Sequence, residues 1–303
     1  MNDTPRGDDA LHTPVLEAQV LELLAPVGVG PSRFADVTLG CGGHARSLLD
    51  ACPEAELLGL DRDPDALTVA RRRLTEYAPR VCYQNARFDA LDCGERPFAG
   101  ILADLGLSSL QLDRAERGFS FSREGPLDMR MGPDAQHSAA DLVNTLDAEA
   151  LANILYRYGE EPAGRKVAAA IVRARLLGPI ETTSELAEIV RTHARKPRPK
   201  PGRKHAVDAA TRSFQGLRIA VNDELGLLER ALPLFREQLA SGGRLAIIAF
   251  HSLEDRIVKK AFRDWERAGL GRRLTAKPLR AEELEVRDNP RARSARLRAF
   301  ERA

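Results

Sequence analysis

The chain has 303 residues, a length that holds one large α/β domain with an insertion or two smaller domains. Hydrophobic content of 43% and charged content of 30% are typical of a globular protein, and no apolar run is long enough to cross a bilayer. The polar N-terminus lacks the basic start and apolar stretch of a secretory signal, so we expect a cytoplasmic protein without membrane contact.

The cysteines and the charges exclude some classes of site. Cys41, Cys52, Cys82 and Cys93 form no C-x-x-C pair and have no histidine at metal-ligand spacing, which predicts reduced thiols and no metal site. The net charge is only +2, yet basic residues cluster between positions 191 and 204 and between positions 287 and 302. A charge run is often just a solvated loop, but the prolines of the first cluster favour an extended loop that contacts phosphates.

The first third of the chain alternates short apolar runs with amphipathic segments, a pattern that predicts βαβ units and a parallel sheet. The candidate strands are Phe34–Thr38, Leu57–Leu60, Val81–Gln84 and Gly100–Ala103. After the second strand, Leu67, Ala70 and Leu74 recur at helical spacing. Asp63 precedes Pro64 there, which predicts a helix with Asp63 at its N-cap.

Beyond position 112 the βα rhythm is lost and the pattern becomes helical. The predicted helical segments are Ala139–Tyr158, Arg165–Leu176 and Ser184–His193. We therefore expect an inserted helical domain at 113–212 within a discontinuous sheet domain at 1–112 and 213–303. The sheet is predicted to resume with helical material at Phe214–Leu239, a turn at Gly242-Gly243 and a buried strand at Leu245–Phe250. Alternation from Arg296 onward suggests a further edge strand.

Residues that directly follow the strands of such a sheet are the candidates for ligand binding. The glycine-rich turn Gly40–His44 allows positive φ and close backbone approach, and the helix after it presents free N–H groups to a carboxylate or phosphate. Asp61 lies about 20 residues further on, where such folds place an acid on ribose hydroxyls. Because Asp63 occupies the cap position, Asp61 is left for a ligand. Phe88 is predicted to flank an adenine, with simple burial as the alternative.

The glycine turn alone leaves two enzyme classes open. Gly40 to Ala45 also satisfies the dinucleotide pattern G-x-G-x-x-A, so a nicotinamide oxidoreductase is an alternative to a methyltransferase that uses S-adenosylmethionine. The loop that begins at Asp104 discriminates better, because it places an acid where an amino group would face the reactive end of the cofactor. A noncatalytic ribosome-associated protein that retains the pocket is a further alternative.

At this point the sequence resembles the bacterial RsmH (MraW) family of small-subunit ribosomal RNA cytosine-N4 methyltransferases, over nearly the whole chain. The blocks that carry the resemblance are His12–Leu16, Gly40–His44, Asp104–Asp113, Arg117–Phe121, Gly125–Met131, Tyr158–Glu161, Phe250–Arg256 and Asn289–Ser294. It implies a Rossmann-like class I S-adenosylmethionine-dependent methyltransferase sheet with an inserted helical domain for RNA recognition. The implied substrate is a cytidine in the decoding region of 16S rRNA, within the small ribosomal subunit or a late precursor. The sequence leaves open whether the protein is a homodimer.

Carried over by motif, the cofactor contacts of the family fall on residues that lie mostly at predicted strand ends. They are Gly42, Gly43, His44, Asp61, Phe88, Asp104 and Gln111. One loop departs from the family pattern: His205 to Arg212 stands where the family usually has His-Pro-Ala-x-Arg, so the resemblance assigns this loop no role toward RNA.

The chemistry expected of this site is N-methylation. C5 methylation of cytosine needs a nucleophilic cysteine, typically in a Pro-Cys setting, which none of the four cysteines has. Asp104 is the candidate that accepts a hydrogen from the exocyclic amine and orients it. If Asp104 binds only cofactor, then Ser108, Ser109 or a backbone carbonyl orients the amine.

Four further residues have competing roles or a role left open. Ser252 is predicted to cap the helix that follows the fifth strand, and the role of His251 is left open. Phe119 and Phe121 are candidates to stack on an extruded base, with burial in the insertion as the alternative.

Overall fold

The structure is a computed structural model that describes residues 14–194 and 208–303. It divides into two compact units. The first contains the described residues up to Asp61, together with Asp65–Gly106 and Ala231–Ala303, and the second contains Arg62–Pro64 and Leu107–Arg230. The second unit is longer at both ends than the insertion expected at 113–212, and the functional division of the chain stays a prediction. Across both described ranges, no helix has the length and apolarity needed to span a bilayer.

The strands of the first unit form one seven-stranded sheet. They are β1 (Arg33–Asp36), β2 (Glu56–Asp61), β3 (Val81–Asn85), β4 (Phe98–Asp104), β5 (Leu239–Ala249), β6 (Gly271–Arg273) and β7 (Arg296–Arg302). Their order is β3-β2-β1-β4-β5-β7-β6, with β1 to β5 parallel, β7 antiparallel to β5 and β6 antiparallel to β7. This arrangement confirms the predicted Rossmann-like class I methyltransferase sheet.

The described residues also form twelve α-helices. In chain order they are α1 (Glu17–Leu24), α2 (Gly43–Ala51), α3 (Pro64–Arg73), α4 (Ser109–Asp113), α5 (Ala139–Thr145), α6 (Ala148–Arg157), α7 (Gly164–Ala174), α8 (Thr183–His193), α9 (Ala210–Asn222), α10 (Glu224–Gln238), α11 (Ser252–Arg267) and α12 (Glu283–Asp288). The helix predicted behind Asp63 is confirmed as α3. The segment predicted at Ala139–Tyr158 is divided into α5 and α6 by an N-cap at Asp147, whose side chain accepts from the backbone N–H of Ala150.

The core of the first unit lies against the sheet. Phe34, Leu57, Leu102 and Ile248 come from four neighbouring parallel strands and are at most 2% exposed. Buried apolar residues are expected along the strands of a parallel sheet, because both faces of such a sheet are covered.

Two predictions about the end of the sheet are wrong. Gly242 and Gly243 do not end a helix-to-strand turn but lie inside β5, where Gly242 has φ 75 and the register against β4 shifts. The glycines therefore serve a bulge, which needs the same backbone freedom as a turn. The tail forms β7 as expected, yet β7 is not an edge strand, because it lies between β5 and β6. Its Arg298 is 5% exposed, since both faces of the strand are covered.

The second unit has its own apolar core, formed mainly by α5 to α9. Phe119 is 7% exposed within that core, and the Phe121 ring packs edge-on against Phe214 with centroids 4.8 Å apart. Phe119 is therefore buried in the insertion, which was the alternative to base stacking. Phe121 is half-buried, with the Arg191 guanidinium 5.4 Å from its ring centroid.

The two basic clusters differ in how much the structure describes. Residues 195–204, on which the phosphate contact was mainly predicted, lie outside the described residues. Arg191 is described and forms an ion pair with Asp208 at 2.9 Å. In the C-terminal stretch, Arg298 pairs with Asp255 at 2.7 Å and Arg302 donates to the carbonyl of Glu237. These arginines of the two clusters therefore form ion pairs and hydrogen bonds with other residues of the chain.

Candidate cofactor site

The glycine-rich turn connects the end of β1 at Asp36 to the start of α2 at Gly43. Gly42 is the N-cap of α2 and has φ 77, in the left-handed region that favours glycine. No side chain of the cap residue satisfies the first N–H groups of α2, so they are available to a ligand carboxylate. A Cβ on Gly43 would lie 2.8 Å from Cγ of Pro14, so this position also requires glycine.

Asp61 ends β2 and lies against this turn. Its Oδ2 accepts a hydrogen bond of 2.7 Å from the backbone N–H of Gly40. The structure therefore brings together the turn and the acid that were predicted to act together. The bond itself was not predicted, and it gives Asp61 a structural role as well, because it fixes the geometry of the turn.

Two further acids stand at the ends of the central strands β1 and β4. Asp36 is 2% exposed, and its Oδ1 accepts from the backbone N–H of Thr38 at 3.2 Å. The Thr38 hydroxyl accepts in turn from the N–H of Asp104 at 2.6 Å. Burial, reinforced by the charge of Asp61, raises the pKa of Asp36 to about 7. Burial and the nearby charges of Asp36 and Glu254 raise the pKa of Asp104 well above its usual range.

His44 is the second residue of α2 and is 7% exposed. Its Nε2 lies 3.7 Å from Oδ2 of Asp104. Three buried atoms in this group have no hydrogen-bond partner among the described residues. They are the two ring nitrogens of His44 and Oδ1 of Asp104. Burial lowers the pKa of His44 to about 4, so the imidazole is neutral at pH 7. Buried polar atoms without partners are costly, and this group is where a polar ligand would be stabilised.

The first turn of α11, the helix that follows β5, adds a fourth acid to the first unit. Glu254 is 2% exposed, and its Oε2 accepts from the N–H groups of Phe250 at 2.8 Å and His251 at 3.3 Å. His251 is the N-cap of α11, and its ring accepts from the Glu254 N–H. The predicted cap at Ser252 is therefore wrong by one residue. The capping box uses an imidazole where a serine was expected.

Phe88 follows β3, as predicted, in a short 3₁₀ turn. Its ring is half-buried and lies 6.2 Å from that of Phe235, which is fully buried. One side of the Phe88 ring thus packs on the core of the first unit. A role beside an adenine stays a prediction.

Gln111 belongs to the second unit and is 4% exposed. Its Nε2 donates to Oδ2 of Asp63 at 2.9 Å and to the carbonyl of Met131 at 3.3 Å, while its Oε1 accepts from the N–H of Ser108. The amide is therefore occupied by structural hydrogen bonds. Neither this network nor the burial of Asp63 was predicted, and contact between Gln111 and a cofactor stays a prediction.

Comparison with known sequences assigns the chain to a family. The model of the MraW methylase family matches residues 9–303. The chain belongs to the MraW methylase family. It is 47% identical over 300 residues to the ribosomal RNA small subunit methyltransferase H of Synechococcus elongatus, covering 99% of this chain and 97% of the relative. The protein of the same name from Dinoroseobacter shibae is 50% identical over 309 residues, covering 96% and 89%.

The similarity of this methylase to solved structures is weaker than its similarity to these sequences. A putative rRNA methylase from Clostridium thermocellum aligns over 97% of this chain and 100% of its own, with 12% identity and a TM-score of 0.46. A putative methyltransferase from Streptococcus mutans, solved in complex with S-adenosylhomocysteine, aligns with 12% identity and a TM-score of 0.44. The family assignment therefore rests on sequence and not on these likenesses.

S-adenosylmethionine is the cofactor of this methylase, as predicted, since the family is a methylase family and the sheet has the class I methyltransferase order. The family assignment overturns the nicotinamide alternative. The first unit also fits the chemistry of the cofactor. It offers a glycine turn with free helix N–H groups, buried atoms without partners, and acids at the ends of β1, β2 and β4 that suit a ligand with a sulfonium and an ammonium group.

Sequence reasoning missed Asp36 and Thr38 in this methylase. The β-branched Val37 and Thr38 extended the predicted first strand to position 38, whereas β1 ends at Asp36. A strand end placed two residues earlier would have identified Asp36 by the rule that selected Asp61 and Asp104.

Proposed function

We propose that the chain transfers the methyl group of S-adenosylmethionine to the exocyclic N4 of a cytidine in the decoding region of 16S rRNA. Support for an RNA substrate comes from relatives at 43–50% identity that carry the name ribosomal RNA small subunit methyltransferase H. The structural observation that carries the proposal is the acid Asp104 at the end of β4, with a raised pKa and an unpartnered Oδ1. An amine substrate needs such an acceptor.

The residues proposed to hold the cofactor each have a chemical reason to do so. Gly42, Gly43 and the start of α2 present N–H groups to the carboxylate of the methionine part. Asp61, at the end of β2 beside the glycine turn, accepts hydrogen bonds from the ribose hydroxyls. Phe88 covers one face of the adenine with the side of its ring opposite Phe235.

Asp104 acts on the amine of the target base. The exocyclic nitrogen of cytosine is a weak nucleophile because its lone pair is delocalised into the ring, so orientation contributes much of the rate. When bound, S-adenosylmethionine supplies an electrophilic methyl group that needs no further activation. The positive charges of a bound cofactor would favour the carboxylate form of Asp104 over the protonated acid. In that form Asp104 accepts one amine hydrogen, which directs the nitrogen lone pair and stabilises the positive charge that develops on nitrogen. Its raised pKa makes it a suitable acceptor for the proton that the nitrogen then loses.

Ser108, one of the other candidates for orienting the amine, is less suitable than Asp104. The Ser108 hydroxyl accepts from the N–H of Gln111 at 3.2 Å as the N-cap of α4, so it already has a structural role. His44 is neutral and buried, with its Nε2 3.7 Å from Oδ2 of Asp104, so it carries no charge that would accept a hydrogen from the amine. These observations favour Asp104 over Ser108 for the amine.

The proposed function is tested by incubating the protein with tritiated S-adenosylmethionine and small ribosomal subunits from a strain that lacks this modification. We expect tritium in 16S rRNA, and at least about 100-fold slower transfer by Asp104→Asn with cofactor affinity changed far less. Cofactor binding without transfer to subunits or to free 16S rRNA would instead support the noncatalytic alternative.

A further inference from the structure

The chain passes from the first unit to the second directly after Asp61 and returns to the first at Asp65. Arg62, Asp63 and Pro64 thus belong to the second unit although they interrupt the first between β2 and α3. The carboxylate of Asp61 is held on one side by the N–H of Gly40. The backbone carbonyl of Asp61 accepts from the N–H of Ala86 at 3.1 Å and from Nδ2 of Asn85 at 2.9 Å. What holds the residues that follow Asp61 therefore acts on the orientation of an acid that is anchored to β3 and to the turn.

Arg62 is held through its side chain and its backbone. Its guanidinium donates to Asp134 through Nε at 3.1 Å and Nη2 at 2.6 Å, and Nη1 donates to the carbonyl of Asn222 at 3.2 Å. The carbonyl of Arg62 approaches Gly132 so closely that a Cβ on the glycine would lie 2.4 Å from the oxygen. This paired fork and close backbone approach leave Arg62 little freedom.

Asp63 is held by a buried ion pair. It is 1% exposed, and its Oδ2 accepts from Nη1 of Arg117 at 2.8 Å and from Nε2 of Gln111 at 2.9 Å. The other terminal nitrogen of Arg117 donates to the carbonyls of Arg130 and Met131, each at 3.1 Å. Removing one partner of a buried pair leaves an uncompensated charge, so the loss of Arg117 would force Asp63 to move.

We propose that Arg117 is a positioning residue for the cofactor acid Asp61, acting through Asp63 and the two peptide units that join them. The proposal rests on the proposed role of Asp61 in holding the ribose. Arg117 fixes Asp63 in the second unit, Gly40 fixes the carboxylate of Asp61 in the first, and the segment between them sets the angle of the acid.

Titration calorimetry with S-adenosylhomocysteine, which cannot react, tests this with the full chain. We expect Arg117→Met to raise Kd by about fivefold or more, and Arg117→Lys to restore part of the affinity. Arg175→Met is the matched control. Arg175 donates to the carbonyls of Val143 and Leu146 in the second unit, at 2.8 and 2.7 Å, and is not bonded to residues 62–64. Its replacement should lower thermal stability and leave Kd within about twofold.

The double variant separates positioning from loss of stability. If Arg117 acts through Asp61, then Arg117→Met added to Asp61→Asn should raise Kd no further than Asp61→Asn alone. Additive effects would overturn the proposal. If Asp61→Asn binds as the unchanged protein does, the role of Asp61 at the ribose fails. If Asp61→Asn weakens binding and Arg117→Met does not, only the positioning proposal fails. Should Arg117→Met not fold, Asp134→Asn applies the same test through Arg62.

Discussion

The carboxylate of Asp61 and the backbone N–H of Gly40 form a hydrogen bond of 2.7 Å that joins the end of β2 to the glycine turn after β1. One oxygen of the acid thus shapes the turn, and the proposed function gives the same carboxylate a role at the ribose of the cofactor. If so, the geometry of the turn and the affinity for the cofactor depend on the same side chain, and substitutions can separate the two effects.

Two replacements of Asp61 should separate its effect on stability from its effect on cofactor binding. Asp61→Asn retains an oxygen that accepts from Gly40, so we expect near-normal thermal stability but weaker cofactor binding. Asp61→Ala loses the Gly40 bond as well and should lower the free energy of unfolding by about 1 kcal/mol in addition. Thermal unfolding and calorimetry with S-adenosylhomocysteine measure both quantities. Equal stability of the two variants would show that the Gly40 bond contributes nothing.

Gly42 offers a test of the turn with a matched control. Its φ of 77 makes Gly42→Ala strained, and the new Cβ would lie 3.0 Å from Cδ1 of Leu74. Gly30 has a similar φ of 71 with open space around it. We expect both alanine variants to lose about 1 kcal/mol of stability, and only Gly42→Ala to weaken binding of S-adenosylhomocysteine. Weaker binding by Gly30→Ala would point to a general loss of folded protein instead.

Asp36 predicts a pH dependence of stability. Its pKa in the folded protein, about 7, lies above the ordinary value of 3.8, so folding favours the protonated acid. The stability that this group contributes is complete below about pH 3.8 and is lost as pH rises to about 7. Asp36→Asn, which keeps an acceptor for Thr38, should therefore be the more stable protein above pH 7. Chemical denaturation at pH 5 and pH 8 measures the free energy of unfolding of both proteins. Equal free energies of unfolding for Asp36→Asn and the unchanged protein at pH 8 would contradict this prediction.

The same acid predicts proton release on cofactor binding. S-adenosylmethionine carries a sulfonium charge that S-adenosylhomocysteine lacks, and a nearby positive charge lowers the pKa of a carboxyl. At pH 6.5, binding of S-adenosylmethionine should release more protons than binding of S-adenosylhomocysteine. Calorimetry in two buffers of different ionisation enthalpy measures the difference, which Asp36→Asn should reduce. Identical proton release by the two ligands would argue against acids close to the sulfonium.

Phe88 is tested against its packing partner Phe235. Phe88→Leu keeps an apolar contact with Phe235 but removes the aromatic face, so we expect Kd for S-adenosylhomocysteine to rise about tenfold at nearly unchanged stability. Phe235→Leu should do the reverse, because Phe235 is fully buried and its loss costs about 1 kcal/mol or more. If both variants affected only stability, the alternative that Phe88 is simply part of the core would be correct.

The sequence was sufficient to predict the parallel strands, the glycine turn and the position of Asp61 beside that turn, because each has a local signal in apolar runs, glycines and spacing. It was insufficient where contacts between distant parts of the chain determine the partner of a side chain or the neighbour of a strand. Nothing near Asp63 indicates that its partners are Arg117 and Gln111, which lie 54 and 48 positions away. Likewise, the alternation in β7 suggested an edge strand, and only the pairing with β6 covers its second side.

The most direct test of the proposed reaction uses S-adenosylmethionine with a trideuterated methyl group and unmodified small subunits. After digestion of the 16S rRNA to nucleosides, mass spectrometry separates N4-methylcytidine from 5-methylcytidine. We predict a trideuteromethyl group on N4 of a cytidine from the decoding region, formed at least about 100-fold more slowly by Asp104→Asn under the same conditions. Label on C5, on another base, or equal transfer by Asp104→Asn would contradict the account of an amine oriented by Asp104.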